Sequence, residues 1–158
     1  MECFLPIEKV RGRDRHGRFE WLERCPLPGY LFVHADKETF NTIVRQALGV
    51  YPAIQIRRSD QFRSPMIVPD RQMASFIIVS GTEQERILYL DPERLNFEKG
   101  DRVRVIGGTF CGVEGVFMQI GGKHEKRVVI QLPGLIAVAT AAIPAALVEK
   151  IPEVDAAE

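Results

Sequence analysis

The sequence predicts an α+β fold in two parts: a mainly antiparallel sheet with helices packed on it, followed by a small β-barrel. Three observations lead there. Helical periodicity is confined to the stretch between Asp36 and Val79. Residues 80–96 are polar and weakly patterned. Residues 97–151 combine glycine clusters with short apolar runs and carry no helical period.

The first part begins with Cys3–Ile7, which reads as a short strand. The polar stretch Arg11–Arg18 holds two glycines and reads as a flexible loop. Phe19–Leu22 reads as a returning strand. Gly29–His34 is aromatic and β-branched, the composition of a buried strand. Asp36 is placed to cap a helix, and Glu38 falls in the first turn, where the helix dipole favours an acid. Phe40, Ile43, Val44, Ala47 and Leu48 recur at helical spacing on one face, and Gly49 fits a C-terminal stop. Val50–Ile56 follows as a strand. Pro69 suits a first helical position, so a second helix is expected from Pro69 to about Val79 with Met73, Phe76 and Ile77 facing in.

In the second part Val103 and Val105 alternate with Arg102 and Arg104, so one strand face is buried and the other wet. Gly115–Ile120, Arg127–Leu132 and Ile136–Thr140 are further strands. Short strands packed this densely suit a barrel, which closes a sheet without leaving bare edges. Gly107, Gly108, Gly112 and Gly115 supply backbone that can take positive φ around a tight loop, and such a loop can push Phe110 outward. The expected organisation is therefore a domain at 1–80, a linker at 81–96, a barrel at 97–151 and a disordered tail at 152–158.

Composition narrows the function. Lysine plus arginine and aspartate plus glutamate each number 21, so the net charge is zero, which counts against holding nucleic acid by bulk charge. Charge is concentrated locally instead: Lys9, Arg11, Arg13, Arg15 and Arg18 face one acid, Asp14, within residues 9–18. No apolar stretch approaches the roughly 20 residues that span a bilayer, so no membrane partner is expected. The N-terminus lacks the basic region and apolar core of a signal peptide. The cysteines, Cys3, Cys25 and Cys111, are odd in number and far apart, which suits a reducing cytoplasm. His16, His34 and His124 stand alone, so no metal is expected, and Gly121-Gly122-Lys123 lacks the remainder of a phosphate-binding loop. Nothing supports catalysis, and no cofactor is expected.

Two segments carry a resemblance. CPLPGYLFV, Cys25–Val33, is similar to the segment that opens a central strand of the NusG N-terminal domain. KGDRVRVIGGTFCGVEGVFMQI, Lys99–Ile120, resembles the KOW motif of the NusG C-terminal domain: Lys99 and Gly100, Val103 and Val105, Gly108 and Phe110, Gly112, then Gly115. Both segments in this order are more specific than a KOW match alone, which ribosomal proteins share. The resemblance implies a transcription elongation and antitermination factor, not an enzyme, with a NusG-type α/β sandwich and an SH3-like KOW barrel. The form PLPGYLFV is similar to the specialised paralogues that act as antiterminators of long surface-polysaccharide operons.

The resemblance also implies partners. Leu27, Pro28 and Tyr30 match the apolar patch that docks on the clamp of the RNA polymerase largest subunit, and Phe32, alternating with Tyr30 on the same face, joins either that patch or the core. Phe110, Leu132, Pro133 and Gly134 match the barrel rim that contacts a small-subunit ribosomal protein or Rho. Lys9, Arg11, Arg13, Arg15 and Arg18 suit contact with upstream or non-template DNA, since arginine forks pair with phosphate; a solvated hairpin tip is the plainer reading. NusG N-terminal domains carry a strand and a helix ahead of the segment matching Cys3–Ile7. A sheet without that strand exposes an edge, so a dimer of this chain is expected. The rival reading is a ribosome-associated, RNA-binding KOW protein.

Overall fold

The computed structural model describes residues 1–50, 65–82, 87–121, 124–132 and 134–152, the side chains of Leu48 and Gly49 excepted. In chain order the strands are β1 (Glu2–Phe4), β2 (Glu8–Arg13), β3 (Phe19–Arg24), β4 (Phe32–His34), β5 (Leu88–Leu90), β6 (Asp101–Val105), β7 (Glu114–Gln119), β8 (Lys126–Leu132), β9 (Ile136–Ala139) and β10 (Val148–Lys150). The helices are α1 (Lys37–Val50) and α2 (Asp70–Ser80). Strand pairing is antiparallel throughout, so the fold is α+β. The chain divides into two units: Met1–Leu5 with Gly29–Val68, and Pro6–Pro28 with Pro69–Glu158.

In the first unit β1 pairs with β4, and Phe4 sits opposite Phe32 with ring centroids 6.4 Å apart. Asp36 caps α1 as its side chain suggested: one carboxylate oxygen accepts the Thr39 N–H at 2.8 Å, the other the Thr39 hydroxyl at 2.5 Å. Phe40, Ile43, Val44 and Ala47 are half-buried along one helical face. The helix runs past the expected stop to Val50, and residues 51–56, expected as a strand, lie outside the described residues. The expectation of a buried strand at Gly29–His34 needs correction. The strand is limited to Phe32–His34, and Leu31 and Val33 are 59% and 36% exposed. A two-stranded ribbon has two faces, and the one bearing Val33 is left uncovered.

In the second unit β2 and β3 form a hairpin, and a six-stranded sheet runs in the order β10-β6-β7-β8-β9-β5. Val103 and Val105 are buried while Arg102 and Arg104 are not, as the alternation predicted. Strand β8 is different. Val128, Val129 and Ile130 are consecutive and all buried, so both of its faces must be covered. One face carries Val129, which clusters with Met118, Ala137 and Ala139 against Leu90, Leu95 and Phe97. Residues 88–97, largely within the stretch expected as a linker, thus contribute core side chains, and β5 adds an edge strand beside β9.

Helix α2 packs against β7, β8 and β9. It begins one residue later than expected, with Pro69 as the cap and Asp70 in the first turn, and the Gly81 N–H closes it on Ile77 O at 2.8 Å. Its buried residues are Ser75, Phe76, Val79 and Ser80. Ile77, expected to face in, is 39% exposed. Phe76 to Val79 are four apolar residues in a row, so helical spacing offers several inward faces, and the sheet selects the one through Phe76 and Val79.

Candidate functional site

Three places matter: the hairpin, the segment Leu27–Phe32, and the turn between β6 and β7.

The hairpin register sets Lys9, Arg11 and Arg13 opposite Glu23, Trp21 and Phe19. Directly opposed residues share a face. The alternate β2 residues Glu8, Val10 and Gly12 are partly buried, so the face carrying Lys9, Arg11 and Arg13 looks to solvent. The strand extends through Arg13, further than the loop expected from Arg11 onward, and the tip is reduced to Asp14–Arg18. There the Asp14 carboxylate accepts the backbone N–H groups of His16 and Arg18, each at 2.8 Å, and Gly17 takes φ 77°. At the base, Nε and one terminal nitrogen of Arg24 reach a single Glu8 carboxylate oxygen at 2.8 and 2.6 Å. Arg15 and Arg18 are exposed at the tip, so all five basic residues singled out in the sequence lie on one face or the tip of one hairpin.

Phe19 and Trp21, not singled out as site residues from the sequence, share that face and are each 58% exposed. The Arg11 and Arg13 guanidinium carbons lie 4.0 and 4.7 Å from the centre of the Phe19 ring. The signal was present in the sequence as aromatics two apart, but which basic residues they meet depends on strand register.

In the segment matching the polymerase patch, Leu27 is buried, Pro28 is exposed, and Tyr30 and Phe32 are half-buried. The apolar exposure falls on the other parity. Leu31 and Val33 are uncovered, and so is Leu5 in the same unit.

The β6–β7 turn folds as the glycines allow, but not in the way expected of all four. Gly108 and Gly112 take positive φ of 79° and 89°; Gly107 and Gly115 do not. Gly115 is required by contact instead: a Cβ there would lie 2.5 Å from Val129 O and 2.8 Å from Val128 Cγ1. Phe110, expected to stand outward, is buried at 5% exposure. The turn is pinned by Gly112 N–H to Val105 O at 2.8 Å and Val113 N–H to Phe110 O at 3.0 Å, which hold the ring inward. Leu132 is also fully buried, Gly134 is exposed with φ 69°, and Pro133 lies outside the described residues. Helix α2 reaches both segments: the Glu114 N–H donates to the Ser75 hydroxyl at 3.0 Å, and the Gln72 amide donates to Gln131 O. A shallow groove beside the turn is lined by Arg71, Ser75, Ile78, Arg104, Gly112 and Glu114. Glu114 raises the Arg104 guanidinium above its ordinary value by hydrogen bonding to it, and Glu149 lies 3.6 Å away.

Among the described residues no group of three or more His, Cys, Asp or Glu side chains is placed to hold a metal ion. No helix among them is long and apolar enough to cross a membrane.

The chain is 27% identical over 138 residues to the transcription termination/antitermination protein NusG of Borreliella burgdorferi, a match covering 85% of this chain and 73% of that protein. No protein-family model matches. The described residues, an α+β arrangement of antiparallel sheets with two helices, are consistent with this similarity.

Proposed function

We propose that this chain is a transcription elongation and antitermination factor that binds RNA polymerase and, through its C-terminal sheet, recruits a second factor. The observation that carries the proposal is similarity to a NusG protein along 85% of the chain, a span that must include most of both matching segments. In this reading residues 1–80 bind the clamp of the largest subunit through Leu27, Pro28, Tyr30 and Phe32. Leu31, between Tyr30 and Phe32 in the sequence, is exposed and offers a further apolar contact. Residues 97–151 act as a KOW-type barrel whose rim, through Phe110, Leu132, Pro133 and Gly134, takes a small-subunit ribosomal protein or Rho. Tethering the two activities on one chain raises the effective concentration of the recruited factor at the polymerase. The hairpin residues Lys9, Arg11, Arg13, Arg15 and Arg18 contact nearby DNA. The likeness of the PLPGYLFV segment to the antiterminators of surface-polysaccharide operons supports reading the chain as a factor of that type.

Burial shapes how the rim can act. Phe110 and Leu132 are buried, so a partner using those side chains has to engage a rearranged form of the rim. The test is binding of the chain to purified RNA polymerase core enzyme, beside Tyr30→Ala and Leu31→Asp. Leu31 is preferred to the buried Leu27 because its substitution spares the core. Binding by the parent chain with loss in either variant is the expected result. No binding to core enzyme, with co-sedimentation on ribosomes, overturns the proposal in favour of an RNA-binding KOW protein.

A further inference from the structure

We infer that the solvent face of the β2–β3 hairpin is a stacking platform for single-stranded nucleic acid, with Trp21 and Phe19 receiving bases and the arginines around them receiving phosphates. The inference deepens the DNA contact proposed above for this hairpin and rests on that reading for its biological setting.

Two rings on one strand face, at positions i and i+2, stand about 7 Å apart along the strand. Each is 58% exposed, and together they make an aromatic patch on the solvent face of the ribbon. The register surrounds them with Lys9, Arg11 and Arg13 on the neighbouring strand, and Arg15 and Arg18 follow at the tip. Two of these guanidinium groups already lie over the Phe19 ring, at 4.0 and 4.7 Å. The acids nearby are disposed to interfere little. Asp14 is turned onto backbone N–H groups, Glu20 opposes Gly12 on the other face, and Glu23, the acid on this face, stands opposite Lys9.

This combination of aromatic faces and cations selects a strand whose bases are free. A duplex conceals its base faces and offers the hairpin phosphates alone. The whole chain has zero net charge, so phosphate contacts are not backed by a general basic field, and stacking has to supply part of the affinity.

Trp21 is the single tryptophan of the chain, so its emission reports the platform directly. The experiment uses the full chain at low salt with a labelled oligothymidylate, a labelled oligouridylate and a duplex of equal length. Anisotropy measures binding, and Trp21 fluorescence is followed in parallel. At least one single strand is expected to bind and quench Trp21, with the duplex weaker by about tenfold or more. DNA and RNA arms identify which strand is taken. Trp21→Ala is expected to lose about tenfold in affinity, the scale of one stacked base, while Trp21→Phe retains most of it. Equal affinity for the duplex, binding that leaves Trp21 emission unchanged, or no binding overturns the inference. The quenching measurement needs no variant and so stands even where Trp21→Ala folds poorly. Polymerase is absent from this assay. A chain that stacks the oligonucleotide but fails to bind core enzyme keeps the platform and loses the elongation-factor reading; the converse result does the opposite.

Discussion

Replacing Gly115 by alanine puts a methyl group against the backbone of the neighbouring strand. The new Cβ would lie 2.5 Å from Val129 O, 2.8 Å from Val128 Cγ1 and 3.0 Å from the Val129 carbonyl carbon. Two of these three atoms are main chain and cannot swing aside, so β7 and β8 must separate locally near the Val116–Val129 pair. Overpacking of this kind costs about 1–3 kcal/mol. A weakened ladder hydrogen bond adds about 1 kcal/mol. The expected loss is about 2–4 kcal/mol, enough to lower a urea midpoint by about 1 M or more at unchanged slope. The matched control is Gly107→Ala, where φ is not positive and the nearest contact is the flexible Leu147 side chain at 3.3 Å. That change should stay within about 0.5 kcal/mol. Urea unfolding followed by far-UV dichroism compares the two. If Gly115→Ala costs no more than Gly107→Ala, close approach of β7 and β8 is not what fixes this glycine.

Phe76→Ala should destabilise by about 3–5 kcal/mol and increase hydrogen exchange in α2, whereas Ile77→Ala should fall within about 0.5 kcal/mol; equal effects would mean that α2 presents another face. Thr140→Val strands the buried Val128 N–H, which the hydroxyl accepts at 3.1 Å, and should cost about 1–3 kcal/mol in the same unfolding assay, with Thr140→Ser retaining most of the stability. The Thr39 hydroxyl, then the Thr39 backbone N–H, hold the Asp36 carboxyl below its ordinary value of 3.8. A depressed folded value means that the cap is fully present above 3.8 and is lost as pH falls through the lower folded value. Helical dichroism from α1 should therefore decline in acid in the parent chain and less so in Asp36→Asn, which caps without a charge to lose; identical acid profiles would remove Asp36 from that role.

Local pattern carried much of the fold. The Arg-Val-Arg-Val alternation at 102–105, the Asp36 cap and the strands near 115–139 follow from neighbours in sequence, and the structure places them there. What could not be read depends on distant residues. Leu88–Leu90 sits in a polar stretch and becomes a strand because β9 offers it an edge. The inward face of α2 is chosen by the sheet beneath it. Phe110 sits in a glycine-rich turn that permits either direction, and the pairing of Gly112 with Val105 turns it in. At the candidate site the basic residues were visible as a cluster, but their shared face with Phe19 and Trp21 appears only when the hairpin register is known.

The strand order also sets a sequence of events. Strands β6 to β9 follow one another along the chain and pair with their immediate neighbours, so they can assemble through short loops. Strand β5 precedes them all yet pairs with β9, matching Leu88 to Ala139 across the whole meander. Its docking carries the larger loop-closure cost and so comes late, and with three paired residues it is among the first parts to peel away. Each such opening bares the β9 edge, Ile136–Ala139, an apolar run with no charged residue to deter another chain. The short strap of β5 thus guards the protein against aggregation only for as long as it stays paired with β9.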